Sequence, residues 1–213
     1  MPFPKNWVEE LISEWLLLKG YLAISNVRLK SGRRGGIKEA DILGLKLVKE
    51  PRKFSRGKKG ITEVLEIVHV ETGNLAGNFE KNVRIVKGKF APERVKMIRE
   101  ISLDVIELES ALGEKFLVGY SRLGVSDVNY RPIYIASYVA KGQVNRLKKE
   151  LEKNGIKFLT LEEVLRVIVR DIDEWKVKQI KKGRRATREI TLPDSWWLLK
   201  LVDYMKNKGL VKC

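Results

Sequence analysis

Apolar residues along the chain recur with two different periods. Between positions 7 and 19, Val8, Leu11, Ile12, Trp15 and Leu18 fall at helical spacing, with Asn6 placed to cap the start and Gly20 to end the helix. The period then shortens. Residues 21–30 and 39–48 read as strands, the second carrying Asp41, Leu43, Leu45 and Leu47 on one face. A third strand is predicted over 61–71. Its stretch from Val64 to Val70 is nearly all apolar, which suits a central strand covered on both faces. Glycines at 73, 77 and 88 predict a loop with a short helix inside it across 73–89. Pro92 opens a helix to about Leu112 with Val95, Ile98, Ile101 and Val105 on its buried side.

Beyond it, 116–120 and 132–139 read as strands, 142–154 as a helix stopped by Gly155, and 156–159 as a short strand. Thr160 caps a helix running to about Trp175, with Glu162 and Glu163 in its first turn. A last helix after Pro193 and Asp194 carries Trp196, Trp197, Leu198, Leu201, Val202 and Met205. This order predicts an α/β protein with a mixed central sheet flanked by helices. The expected division is a core over 1–160 and a helical, basic extension over 161–213. No internal repeat is present.

Composition narrows the class. Of 213 residues, 44% are hydrophobic and 33% charged, which is neither a disordered nor a membrane composition. The apolar runs are far shorter than the roughly 20 residues that span a bilayer, and residues 1–7 form no signal segment. The one cysteine, Cys213, allows neither a disulfide nor a cysteine metal site within one chain. A cytoplasmic location and no membrane partner are the expectation.

Charge changes the picture most. Lys and Arg number 43 against 27 acidic residues, a net charge of +16. Thermophile-like ion-pair networks would explain the charge content but not the surplus, whereas a surplus of this size favours polyanions. The cations cluster. Arg33 and Arg34 sit in a glycine-rich turn, and Arg52, Lys53, Arg56, Lys58 and Lys59 in a loop. The run 176–188 holds seven cations, among them Lys181, Lys182, Arg184, Arg185 and Arg188. These are the candidate nucleic-acid contacts, with duplex or branched DNA as the expected partner. A homodimer is also open, because Trp196 and Trp197 suit the core or a subunit surface better than a base-stacking platform.

A set of short motifs then falls into an order. A helix ends in Lys19-Gly-Tyr21, followed by Asn26-Val-Arg28, a glycine-rich turn, Glu39-Ala-Asp41, and an apolar strand ending His69-Val-Glu71-Thr72. In this order the chain resembles the restriction-endonuclease-like nuclease superfamily, near archaeal Holliday-junction resolvases and RecB-type nucleases. The resemblance covers residues 7–75 by motif and runs to about 140 by order of elements. It implies a metal-dependent DNA endonuclease with a helix glutamate at Glu9, a strand aspartate at Asp41, a Glu-x-Lys pair on the next strand, and Mg or Mn as cofactor.

The chemistry asks for the same residue types. Hydrolysis of a phosphodiester needs an activated water and a stabilised leaving oxygen, and carboxylate-held divalent cations supply both. Asp41, His69 and Glu71, with Glu9 from the helix, form the candidate metal set. His69 and Glu71, two apart, share one face of their strand. The chain departs from the family pattern here, since His69-Val70-Glu71 stands where Glu-x-Lys is expected. Lys81 is the candidate replacement for the missing lysine, making Asp41, Glu71 and Lys81 the catalytic candidates. The bland alternatives are a hydrogen-bonded core histidine for His69, an ion pair with Lys38 or Lys46 for Asp41, and a surface role for Glu9, with Glu10 or Glu14 able to replace it. Three functions therefore compete: a hydrolase with a rearranged site, a catalytically decayed DNA-binding module on the same fold, and a basic scaffold for a protein partner. A lysine within reach of Asp41 and Glu71 would favour the first over the second.

Overall fold

The computed structural model describes residues 6–29, 38–53, 59–112, 127–181 and 190–210. Helix α1 (Trp7–Leu18) starts where its cap dictates. The Asn6 side chain accepts hydrogen bonds from the amides of Val8 and Glu9, and Gly20 ends the helix at a φ of +78°. Strands β1 (Leu22–Leu29), β2 (Lys38–Lys53) and β3 (Lys59–Leu75) form an antiparallel meander. Helices α2 (Phe79–Lys89) and α3 (Pro92–Leu112) then cross to β4 (Asp127–Val139), which lies parallel to β3. Helix α4 (Val144–Glu152) leads to β5 (Lys157–Thr160), parallel to β4, and α5 (Leu161–Lys181) and α6 (Trp197–Asn207) follow. The five strands lie in sequence order in one mixed sheet with helices on both faces.

Alternation along β2 and β3 splits the core in two. Ile42, Val68 and Val70, with Ile133 and Ile135 of β4, face α1, α5 and α6. Leu43, Leu45, Leu65 and Ile67 face Ile98 of α3, and Tyr134 and Phe158 pack with Val86, Leu147 and Leu151 of α2 and α4. The near-continuous apolar run of β3 is thus that of a strand covered on both faces. Helix α5 contributes Val164, Ile168 and Ile172 to the same cluster as α1 and the sheet.

Several boundaries differ from the expectation. Strand β2 runs on to Lys53 and β4 begins at Asp127, and Arg52, Lys53 and Lys59, read as loop residues, belong to strands because the β2–β3 ladder continues to the Lys53–Lys59 pair. Strand β3 continues through Gly73 to Leu75, with a register shift at Gly73/Asn74 against β4. The segment read as mostly loop is an 11-residue helix running through Gly88, because Asn78 caps it and Val86 anchors it in the core. Helix α5 runs six residues past Trp175, to Lys181. The predicted strand at 116–120 lies outside the described residues. Among the described residues no helix is long and apolar enough to cross a membrane.

Candidate functional site

The β2–β3 register decides whether the candidate residues meet. Leu43 pairs with His69 and Ile42 with Val70, which brings Asp41 to the level of Glu71. By alternation Asp41, His69 and Glu71 all point to the face of Leu43 and Ile67, the one covered by α2 and α3. The shared face expected of these three residues is therefore observed.

Their immediate surroundings were not foreseen. Glu71 has no exposed surface, and three groups surround its carboxylate. Its Oε1 lies 2.9 Å from His69 Nε2 and accepts from the Arg94 guanidinium at 2.8 Å; its Oε2 is 2.7 Å from Lys89 Nζ. Arg94 also donates to the Glu39 carbonyl at 2.7 Å, tying the first turn of α3 to the start of β2. His69 is equally buried. Its Nε2 faces a carboxylate that can only accept, so Nε2 carries the proton, and Nδ1 accepts from the Tyr130 hydroxyl 2.6 Å away. The Phe90 ring stands edge-on against the imidazole at 4.8 Å.

The electrostatics follow from this packing. Burial lowers the His69 pKa and outweighs the pull of Glu71, so the ring is neutral. Burial pushes Glu71 up, but the hydrogen bond from His69 and the charge of Lys89 hold it below its ordinary value. Asp41 goes the other way. Burial and then the Glu71 charge raise it, against the lowering effect of the Thr72 amide, which donates to Asp41 Oδ2 at 2.8 Å. Tyr134 is pushed up to about 12 by burial and then by Glu71 and Asp41.

The other candidates lie elsewhere. Glu9 is buried on α1 and accepts from the Asn6 amide group at 2.8 Å. Helix α1 packs on the opposite face of the sheet from His69 and Glu71. Lys81 is exposed in the first turn of α2, about 12 Å along the helix axis from Lys89. The lysine that reaches Glu71 is Lys89, at the far end of that helix. Lys46, offered as a partner for Asp41, donates instead to the Lys19 carbonyl at 2.8 Å. Glu10 and Glu14 serve α6: Glu10 accepts from the Trp197 indole, and Glu14 from the amides of Leu198 and Leu199.

Glu71 stands in the lysine's place of the Glu-x-Lys pair, and Gly73 follows it two residues on. A Cβ added there would lie 2.8 Å from the Tyr134 hydroxyl, so the site leaves no room for one. A metal does not fit these residues as they stand. Both ring nitrogens of His69 and both oxygens of Glu71 are engaged, and among the described residues no three such side chains are arranged to hold an ion.

Of the candidate nucleic-acid contacts, Arg33, Arg34, Arg56, Lys58, Lys182, Arg184, Arg185 and Arg188 lie outside the described residues. The backbone positions of Arg52, Lys53, Lys59 and Lys181 are described. Arg52, Lys53 and Lys59 close the far end of the β2–β3 ladder, where Lys53 pairs with Lys59. Helix α5 points the same way. It leaves β5 at Thr160, level with Gly73 through Ala136, and Asp171 further along it meets Trp15 and Lys19 near the end of α1. Compared with family models, characterised proteins and solved structures, the chain matches none.

Proposed function

We propose that this protein binds nucleic acid, and that its Asp41–His69–Glu71 group is a structural ion cluster rather than a hydrolytic centre. The reading of binding rests on the net charge of +16 and on the clustering of its cations along the chain, with Arg52, Lys53 and Lys59 together at the far end of β2 and β3. Arg33 and Arg34 fall between β1 and β2 in the sequence; Arg52, Lys53 and Lys59 stand at the far end of the β2–β3 ladder. Phosphates meeting such a surface release counterions and give affinity with little sequence preference.

The observation against hydrolysis is the fully buried Glu71, held by Arg94, Lys89 and His69. Lys89 meets the condition of a lysine within reach, and with Asp41 it is the feature that speaks for the resemblance to nucleases. Yet the carboxylate that would have to hold a metal has no exposed surface and is already charge-balanced, so a metal would have to displace its partners.

Duplex and branched DNA, titrated from low to physiological salt and assayed with Mg²⁺ or Mn²⁺, test both halves. Binding that weakens steeply with salt, without cleavage and unchanged in Asp41→Ala, is the expected result. No binding at low salt would remove the binding reading; metal-dependent cleavage abolished by Asp41→Ala would restore the nuclease.

A further inference from the structure

We propose that the outward face of α6 pairs antiparallel with the same face of a second copy of this chain. The helix is apolar on two sides. Leu198, Leu199 and Val202 are buried in the core. On the opposite side Trp197, Leu201 and Tyr204 are 50%, 46% and 57% exposed. At about 100° per residue these three fall within about 60° of one another, a continuous stripe that the protein's own core does not use. The Trp197 indole N–H is satisfied by Glu10 at 2.7 Å, which leaves the ring as an apolar surface with no polar cost. Trp7, one turn before Glu10 on α1 and 53% exposed, widens the patch. Exposed aromatic patches of this kind mark interaction sites, and aromatic side chains are their usual anchors.

The spacing of the stripe points to a copy of itself as the occupant. A two-fold axis through Leu201 sets each residue against one equally far on the other side. Trp197, four positions before Leu201, comes within one residue of the level of Tyr204, three positions after it, close enough for the two rings to touch. Asp194, in the turn before the N-cap Trp196, comes to the end of the partner helix that carries the C-cap Lys208. The aromatic pair and the ion pair each occur twice, and the opposed helix dipoles favour the same direction. Asp194 has a fully exposed side chain, bridged within its own chain to Lys200, and Lys208 lies over the Tyr204 ring at 5.7 Å. A parallel pairing would instead place Asp194 on Asp194 and Lys208 on Lys208. One helix and one flanking tryptophan bury less than the ~800 Å² per partner of a standard interface, so the dimer is expected to have a micromolar Kd.

Sedimentation equilibrium of the full chain without nucleic acid, across the micromolar range, tests this. The expected result is a monomer–dimer equilibrium. Leu201→Glu should weaken it at least ~10-fold with an unchanged melting temperature, because Leu201 is half-exposed. Asp194→Lys and Lys208→Glu should each weaken it, and the double exchange should restore it. A monomer throughout the range would overturn the proposal. So would a dimer indifferent to Leu201→Glu, or a double exchange that fails to restore what the single exchanges lose.

Discussion

Glu71 is the position on which the proposed reading of a structural rather than a catalytic cluster turns. It sits where a family resemblance expects charge near the scissile phosphate, but Arg94, Lys89 and His69 neutralise it in a closed environment. Replacing it with alanine would leave two cations facing a buried space, a change that costs about 3–5 kcal/mol. Urea denaturation of Glu71→Ala should show that loss at neutral pH. The wild type should also lose stability on acidification, in two steps. Below about 6.5, the unfolded histidine takes up a proton that buried His69 refuses. The stability contributed by Glu71 is complete above its ordinary value of 4.5 and is lost only as pH falls through its lower folded value. Asp41 has the opposite sign. Its raised pKa means that the ionised form is held at a cost near neutral pH, and the folded protein binds its proton first as pH falls. Asp41→Asn should therefore stabilise the protein at neutral pH, with the gain shrinking towards 3.8. A destabilised Asp41→Asn would show that the contact with Thr72 needs the charge. Gly73 offers a sharper geometric check. Gly73→Ala should cost about 1–3 kcal/mol through the Tyr134 hydroxyl, and Tyr134→Phe should relieve most of it in the double variant.

Most elements were legible because their ends carry chemistry as well as period. Asn6 and Thr160 are both placed as caps by the sequence, and both act as caps; Thr160 and Glu163 bond to each other's amides. Each is worth about 1 kcal/mol, which thermal unfolding of Asn6→Ala and Thr160→Ala should reproduce. The β2–β3 register that aligns Asp41 with Glu71 was not legible, since β3 is apolar and covered on both faces and its pattern does not distinguish one register from its neighbour. Nor were the partners of Glu71. Lys89 and Arg94 come from the end of α2 and the first turn of α3, either side of the Phe90–Ala91 junction. Three glycines mask α2 as a loop, yet Gly77 precedes the Asn78 cap and Gly88 falls in the last turn. The one available signal was Asn78 followed by Val83 and Val86 at helical spacing, with Pro92 opening the next helix. Tyr130 reaches His69 across the parallel β3–β4 pairing, a contact 61 positions apart that no local pattern encodes.

At the scale of the molecule, Arg52, Lys53 and Lys59 close the end of the β2–β3 ladder away from the Asp41–Glu71 group. Arg33 and Arg34 precede β2 in the chain, and Arg52 and Lys53 lie at the far end of its 16 residues, so the length of the strand sets the separation of its two ends. At about 3.3 Å per residue that separation is about 50 Å. Helix α5 ends towards the second of these, carrying Lys181 and the start of the basic run in the same direction. A duplex that touches both ends must be long enough to span them, roughly 15 base pairs at about 3.4 Å each. Binding at fixed low salt should therefore strengthen with duplex length up to about that size, and then rise only with the number of overlapping sites. Alanine at Arg33 and Arg34 should remove the dependence on length beyond the shorter footprint, and should lower the salt slope by about 0.9 for each phosphate left unneutralised. The same substitutions at Arg52, Lys53 and Lys59 should do so from the other end. A duplex of about half that length bound as tightly as the long one would confine the binding to one end of β2. The variant with weakened affinity would then identify which end it is.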